Sequence, residues 1–269
     1  MSHPIGFIEA AGQRLEAAWH GPRPAGDAAD RPTLVLLHEG LGCVELWRDT
    51  PARLAELTGL GVFVYSRRGY GRSDPCELPR PTSYMHDEGL LVLPEVLRAV
   101  GITRPILFGH SDGASISLIY AGGTPAQGLL GLILEAPHVF IEDCNVEGIN
   151  AARRAYAEGD LRGRLAKYHG ANVDCAFRGW SEPWLQADYR LWNLEEYLPN
   201  IGVPTLVIQG EDDEYGTMAQ CNAIADGIPH GADVLALPNC GHAPHEEQAE
   251  QVEPAIVRFV RTVAGINLP

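Results

Sequence analysis

Hydrophobic positions along the chain follow two alternating rhythms. Continuous apolar runs of strand length occur at 33–38 (TLVLLH), 61–66 (GVFVYS), 105–109 (PILFG), 128–137 (GLLGLILEAP) and 204–210 (PTLVIQG). A run that is apolar at every position suits a strand buried on both faces, as in a parallel sheet covered by helices. Helix-like segments lie between these runs. They are LWRDTPARLAEL, with Pro51 an early-turn residue or an interruption, YMHDEGLLVLPEVLRAVG, ended by Gly101, and SDGASISLIYAGG. Two more follow, around Met218 to Ala225 and near Pro254 to Val263. FIEAAGQRLEAAW predicts two short strands turning at Ala11–Gly12, and ADVLALP predicts a last strand. GPRPAGDAADRP reads as a surface loop. The alternation predicts an α/β fold with a mostly parallel central sheet flanked by helices.

The rhythm breaks once. Residues 138–199 contain no buried-strand pattern, are rich in helix formers, and carry Trp180, Trp184 and Trp192. This predicts a core built from 1–137 and 200–269, with 138–199 inserted as a helical cap. At 269 residues and 45% apolar, the chain can bury a sizeable core. Twenty basic against 35 acidic residues give a net charge of −15, which argues against nucleic acid and anionic membranes as partners. The expected partner is a small-molecule substrate, met by a monomer or homodimer. MSHPIGFIEA shows no cationic start and no apolar signal region. The six cysteines form no CxxC pair and read as free thiols in a reducing cytoplasm. His20, His86, His138, His169 and His230 show no metal-ligand spacing, so neither metal nor cofactor is expected.

One stretch carries chemistry. In LFGHSDGASI, Ser111 stands between Gly109 and Gly113, where a strand must turn sharply into a helix. This is the G-x-S-x-G pattern of a nucleophile elbow, in the strand–turn–helix setting that the motif requires. A serine hydroxyl needs a base, and the base needs an orienting acid. Later strands are followed by GEDDE and by NCGHAPH, which fill the places for an acid and a histidine.

With LHEGLG, GYGRSD, GHSDG, QGEDDEYG and CGHAPH, the chain resembles the α/β-hydrolase superfamily over essentially its whole length. The resemblance implies Ser111 as nucleophile, His242 as base and Asp213 as acid, with Asp212 or Glu135 as alternatives for the acid. It makes His38 a structural histidine and places His110 beneath the elbow. His245 is read as a solvated residue at a helix start. An oxyanion needs two backbone donors. The N–H groups of Asp112 and Gly40 are the candidates, with Leu41 as alternative to Gly40. The superfamily commonly has His-Gly where this chain has His38-Glu39. Glu39 must be neutralised or turned away, and Arg67 or Arg68 is the expected partner. Otherwise Glu39 or Asp112 faces the pocket and favours a cationic or hydroxylated substrate.

Fold alone does not choose a reaction. Dehalogenases and epoxide hydrolases use aspartate where Ser111 stands. Carbon–carbon hydrolases of aromatic ring cleavage usually follow the base with tryptophan, where this chain has Ala243-Pro244. Proline iminopeptidases usually carry a tryptophan or glycine pattern around the serine that is absent here. The reading is a serine hydrolase of small carboxylic esters, thioesters or lactones, carboxylesterase-like. Carbon–carbon hydrolysis and acyl transfer or perhydrolysis are the alternatives. Leu41, His138, Phe140, Trp180, Trp184 and Tyr215 are candidates to line the pocket, as are Phe177 and Trp192. For each aromatic of the insertion, the plainer reading is a core residue of that insertion.

Overall fold

Residues 5–24 and 30–266 are described in a computed structural model of the protein. Part of the expected surface loop at 21–32 therefore lies outside the described residues, as does the start of MSHPIGFIEA. Eight strands form one sheet in the order β1-β2-β4-β3-β5-β6-β7-β8. β1 (Gly6–Ala10) and β2 (Gln13–His20) form a hairpin, and β2 pairs antiparallel with β4 (Gly61–Tyr65). β3 (Thr33–Leu37), β5 (Pro105–His110), β6 (Gly131–Glu135), β7 (Thr205–Gly210) and β8 (Asp233–Leu237) continue the sheet in parallel with β4. From β3 to β7 every strand residue is buried, which is why these strands read as unbroken apolar runs. Edge strand β8 is mostly exposed.

Helices cover both faces. α1 (Thr50–Thr58) starts with Pro51 in its first turn, where the missing N–H costs nothing. The expected helix at 84–101 divides into α2 (Tyr84–Asp87), a π-helical turn (Glu88–Val92) and α3 (Leu93–Ala99). α4 (Asp112–Gly123) follows β5 directly and is buried along almost its whole length. Between β6 and β7 the regular elements are all helical. They are α5 (Asp143–Glu158), α6 (Leu161–His169), α7 (Val173–Trp184) and 3-10 turns at 170–172, 188–191 and 195–200. α8 (Met218–Gly227), α9 (Pro244–Glu247) and α10 (Ala249–Ala264) complete the chain. α10 begins earlier than its sequence pattern suggests and carries Pro254 in its first turns. Among the described residues, no helix is long and apolar enough to cross a membrane.

The cysteines are not all free thiols. Cys76, in the loop after β4, and Cys175, on α7, form a disulfide with Cα atoms 6.3 Å apart. They are 99 positions apart in sequence, so tertiary packing brings them together and no local spacing announces it. The inference from free thiols to a reducing compartment therefore loses its basis. Cys43, Cys144, Cys221 and Cys240 remain thiols.

Candidate active site

The site stands at the C-terminal ends of the parallel strands. Ser111 links β5 to α4 with φ 54° and ψ −115°, a conformation that non-glycine residues rarely adopt. Its backbone N–H donates to the Glu135 carbonyl at 2.8 Å, which fixes the turn to β6. The flanking glycines are required by close approach. A Cβ on Gly109 would run into the Gly113 carbonyl, and one on Gly113 into the Leu37 carbonyl. The turn also places Ser111 at the N-terminus of α4, where the helix dipole favours negative charge.

Asp213 lies in the loop after β7 and His242 in the loop after β8. His242 Nδ1 is 2.9 Å from both Asp213 carboxylate oxygens. The carboxylate also accepts from Tyr215 N–H at 2.8 Å and from Gln209 Nε2 at 2.8 Å. Burial opposes its ionisation, but His242 and the Tyr215 N–H hold its pKa below the usual carboxylate value. The two loops touch at Gly210, where a side chain would meet the carbonyls of Cys240 and Gly241. Asp213, rather than Asp212, is the carboxylate that meets His242. Asp212 donates its backbone N–H to the Cys240 carbonyl at 2.9 Å.

Ser111, His242, Glu39, Gly40 and Leu41 open onto one cavity of about 230 Å³. His138, Trp180, Trp184 and Tyr215 line it as expected, joined by His110, Asn145, Ile149 and Ala243. Asn145 and Ile149 escaped the sequence reading, although their i, i+4 spacing on α5 puts them on one helix face. Phe140 does not line the cavity. Its backbone N–H and carbonyl are taken by the Gln220 amide. Phe177 stacks on Tyr156 at 3.7 Å, and Trp192 packs on Tyr189 and Trp184, so both serve the inserted segment's own core. Gly40 lies under Trp180, whose ring occupies the space a Cβ would need. His138 donates through Nε2 to the Tyr215 carbonyl at 3.1 Å, and burial pushes its pKa down to about 4, so this wall is neutral.

Asp112 turns its side chain away from the cavity. Its Oδ2 accepts from Tyr84 Oη at 2.7 Å and faces Arg67 at 3.8 Å. Tyr84 Oη in turn accepts from Trp184 Nε1 at 2.9 Å. As the first residue of α4, Asp112 has a backbone N–H with no acceptor inside the helix. The Asp112 carboxylate thus sits in a buried polar chain, while its backbone stays at the serine.

Glu39 departs from expectation. Neither Arg67 nor Arg68 pairs with its carboxylate. The Arg67 guanidinium is drawn to the backbone carbonyls of His38 and Glu39, and Arg68 Nε donates to the Pro75 carbonyl. Both arginines are thus used by nearer acceptors. Glu39 Oε2 instead faces His110 Nδ1 at 3.7 Å. Burial opposes its charge, but His110 holds its pKa far below the usual carboxylate range. His38 is structural, with Nδ1 2.7 Å from the Glu39 carbonyl and Nε2 accepting from the Arg67 N–H.

His245 is not solvated. It is buried, and its Nδ1 lies 2.5 Å from Glu135 Oε1. Its ring packs against Trp47 and Phe108, with centroids 5.0 and 6.4 Å away. Pairing with His245 removes Glu135 as the partner of His242. Among the described residues, His110, Glu135 and His245 form a cluster whose ligand atoms lie within 4.8 Å of one another, close enough to hold a metal ion. Within it, His245 Nδ1 meets Glu135 Oε1 and His110 Nε2 meets the His242 carbonyl.

A family model described as the alpha/beta hydrolase family matches residues 34–255. A proline iminopeptidase from Lactobacillus delbrueckii subsp. bulgaricus is 31% identical over 114 residues, which is 42% of this chain and 39% of that protein. The match thus spans about two fifths of that relative's length. A proline iminopeptidase from Saccharolobus solfataricus is 28% identical over 276 residues, covering 87% of this chain and 86% of its own. Similarity to proteins of that name thus extends over most of the chain. In fold, the chain is similar to a crystal structure of a serine hydrolase involved in carbazole degradation, with TM-score 0.74 and 17% identity over 96% of this chain and 99% of that one.

Proposed function

The chain belongs to the alpha/beta hydrolase family, and on that premise we propose that it is a serine hydrolase of small carboxylic esters, thioesters or lactones. The observation that carries this reading is the shared cavity. A strained serine and an Asp213-held imidazole open together onto about 230 Å³ of space walled largely by Leu41, Ile149, Trp180 and Trp184. In this reading Ser111 Oγ attacks the acyl carbon while His242 takes its proton through Nε2. Asp213 keeps the proton on Nδ1 and stabilises the imidazolium that forms. The N–H groups of Gly40 and Asp112 receive the oxyanion. His242 returns the proton to the leaving oxygen or sulfur, and a water activated by His242 then releases the acid. Residues 138–199 act as a cap that sets specificity, since α5 and α7 supply much of the wall.

A second reading has its own support. Relatives named proline iminopeptidase align over most of the chain, and Glu39 puts a carboxylate on the cavity wall. An amide substrate with a cationic N-terminus would suit that wall. We favour the ester reading because His110 Nδ1 stands 3.7 Å from Glu39 Oε2, placed to neutralise that carboxylate without a substrate cation. The test compares p-nitrophenyl esters of rising acyl length with proline p-nitroanilide, each against wild type and Ser111→Ala. Serine-dependent turnover of the short esters, with the anilide at least about tenfold poorer in kcat/KM, is expected. The reverse ranking overturns the ester reading, and no turnover above Ser111→Ala on either overturns both.

A further inference from the structure

His110 ends β5, one residue before the nucleophile, and is buried. Four groups from three segments face its ring, besides the His242 imidazole 5.2 Å away between centroids. Nε2 lies 2.7 Å from the His242 backbone carbonyl and 3.9 Å from Glu135 Oε1. Nδ1 lies 3.7 Å from Glu39 Oε2. The His245 ring stands 5.3 Å away, between centroids, and is itself tied to Glu135. The first three groups can only accept a proton. A neutral imidazole has one N–H, so it would turn a lone pair toward either the carbonyl or the Glu39 carboxylate. With both ring nitrogens protonated, Nε2 donates to the His242 carbonyl and Nδ1 presents positive charge, not a lone pair, to the Glu39 carboxylate.

We propose that His110 is a positioning residue which, as an imidazolium at neutral pH, neutralises Glu39 at the edge of the oxyanion site and ties the His242 loop to the elbow. The proposal rests on the reading of Ser111 as nucleophile. Glu39 immediately precedes Gly40, the expected oxyanion donor. An unscreened carboxylate there would repel the negative charge that develops on the acyl oxygen, and the low-dielectric wall would strengthen that repulsion. His110 thereby explains how this chain tolerates glutamate after His38. Burial works against the charge, but Glu39, Glu135 and the His242 carbonyl outweigh it and raise the His110 pKa to about 9.

Two measurements on the intact protein decide the matter. The first is the ¹⁵N NMR signature of the His110 ring, assigned by its loss in His110→Gln. Both nitrogens should be protonated at pH 7.5 and titrate near pH 9, with Glu39→Gln lowering the midpoint. A neutral signature at pH 7.5 overturns the proposal. The second is the rate at which a fluorophosphonate labels Ser111, which needs no knowledge of the substrate. His110→Gln should slow labelling on the order of 10²-fold, the size of losing one oxyanion donor. The double variant Glu39→Gln/His110→Gln should recover at least about tenfold of that loss, because the stranded carboxylate has gone. A double variant no faster than the single one shows a merely structural histidine. Failure of wild type to label would overturn the nucleophile reading and leave the NMR result to decide the charge state. If His110→Gln does not fold, assignment passes to Glu39→Gln and the NMR result stands as the test.

Discussion

Two carboxylate–imidazole pairs stand at the C-terminal ends of neighbouring strands, and they differ mainly in access. Asp213 follows β7 and holds His242, while Glu135 ends β6 and holds His245. Both carboxylates are buried, both pKa values are lowered by their histidine against the pull of burial, and both histidines come from the segment after β8. Yet the His242 side chain is 16% exposed and opens onto the Ser111 cavity, whereas that of His245 is 6% exposed and packs against Trp47. A buried carboxylate beside a histidine is thus no sign of catalysis by itself. Its partner must also reach a nucleophile and a space for substrate.

The sharpest way to break this contrast is to remove the reacting groups. Ser111→Ala and His242→Ala should each lower kcat about 10⁴–10⁶-fold. Thermal unfolding of Ser111→Ala should stay close to wild type, whereas His242→Ala strands the buried Asp213 carboxylate and should unfold at a lower temperature. Retention of most activity in either variant would move the reaction elsewhere.

The carboxylates come next, and they should part in kind. Asp213→Asn keeps the shape but invites the wrong imidazole tautomer, so kcat should fall by about 10⁴-fold with little change in the denaturation midpoint. Glu135→Gln leaves buried His245 and His110 facing an amide. It should cost about 3–5 kcal/mol of stability, the range for breaking a buried pair. In the folded fraction, kcat should fall by no more than about tenfold, since Glu135 touches no reacting atom. Urea titrations and steady-state kinetics on both variants test this. If Glu135→Gln loses activity as Asp213→Asn does, the two pairs have been assigned the wrong way round.

The pair at the cavity was legible in the chain and the buried pair was not, for a physical reason. Ser111 is announced by its immediate neighbours, because a strand-to-helix turn that tight needs Gly109 and Gly113. Asp213 and His242 follow from their places after two strands. The partner of His245, by contrast, is 110 positions away, and nothing around Pro244-His245 says that the ring turns inward onto β6. The same holds for Glu39, which meets His110 rather than the arginines, and for Cys76 and Cys175. The strand runs were readable because burial on both faces leaves a continuous apolar signature. The π-helical turn at Glu88–Val92 was not, because it keeps helical composition while changing the hydrogen-bond register.

The smallest effect concerns how the two pairs depend on the helical segment. The buried pair rests on β6, α9 and Trp47, none of which belongs to it. The cavity pair faces α7, and a polar chain runs from there to the elbow: Trp184 Nε1 to Tyr84 Oη to Asp112 Oδ2. Asp112 follows Ser111 directly, so any slack in that chain reaches the oxyanion donor. Trp184→Phe removes the first donor and keeps an aromatic wall. The lost hydrogen bond should cost about 1 kcal/mol of stability. Displacement of the Asp112 N–H should lower kcat by about threefold, with KM for a short ester little changed, because an oxyanion contact is made mainly in the transition state. A change confined to KM would mean that Trp184 acts only as pocket wall and that α7 does not reach the elbow. A change in kcat alone would show that the two pairs, alike in chemistry, differ also in what lies above them.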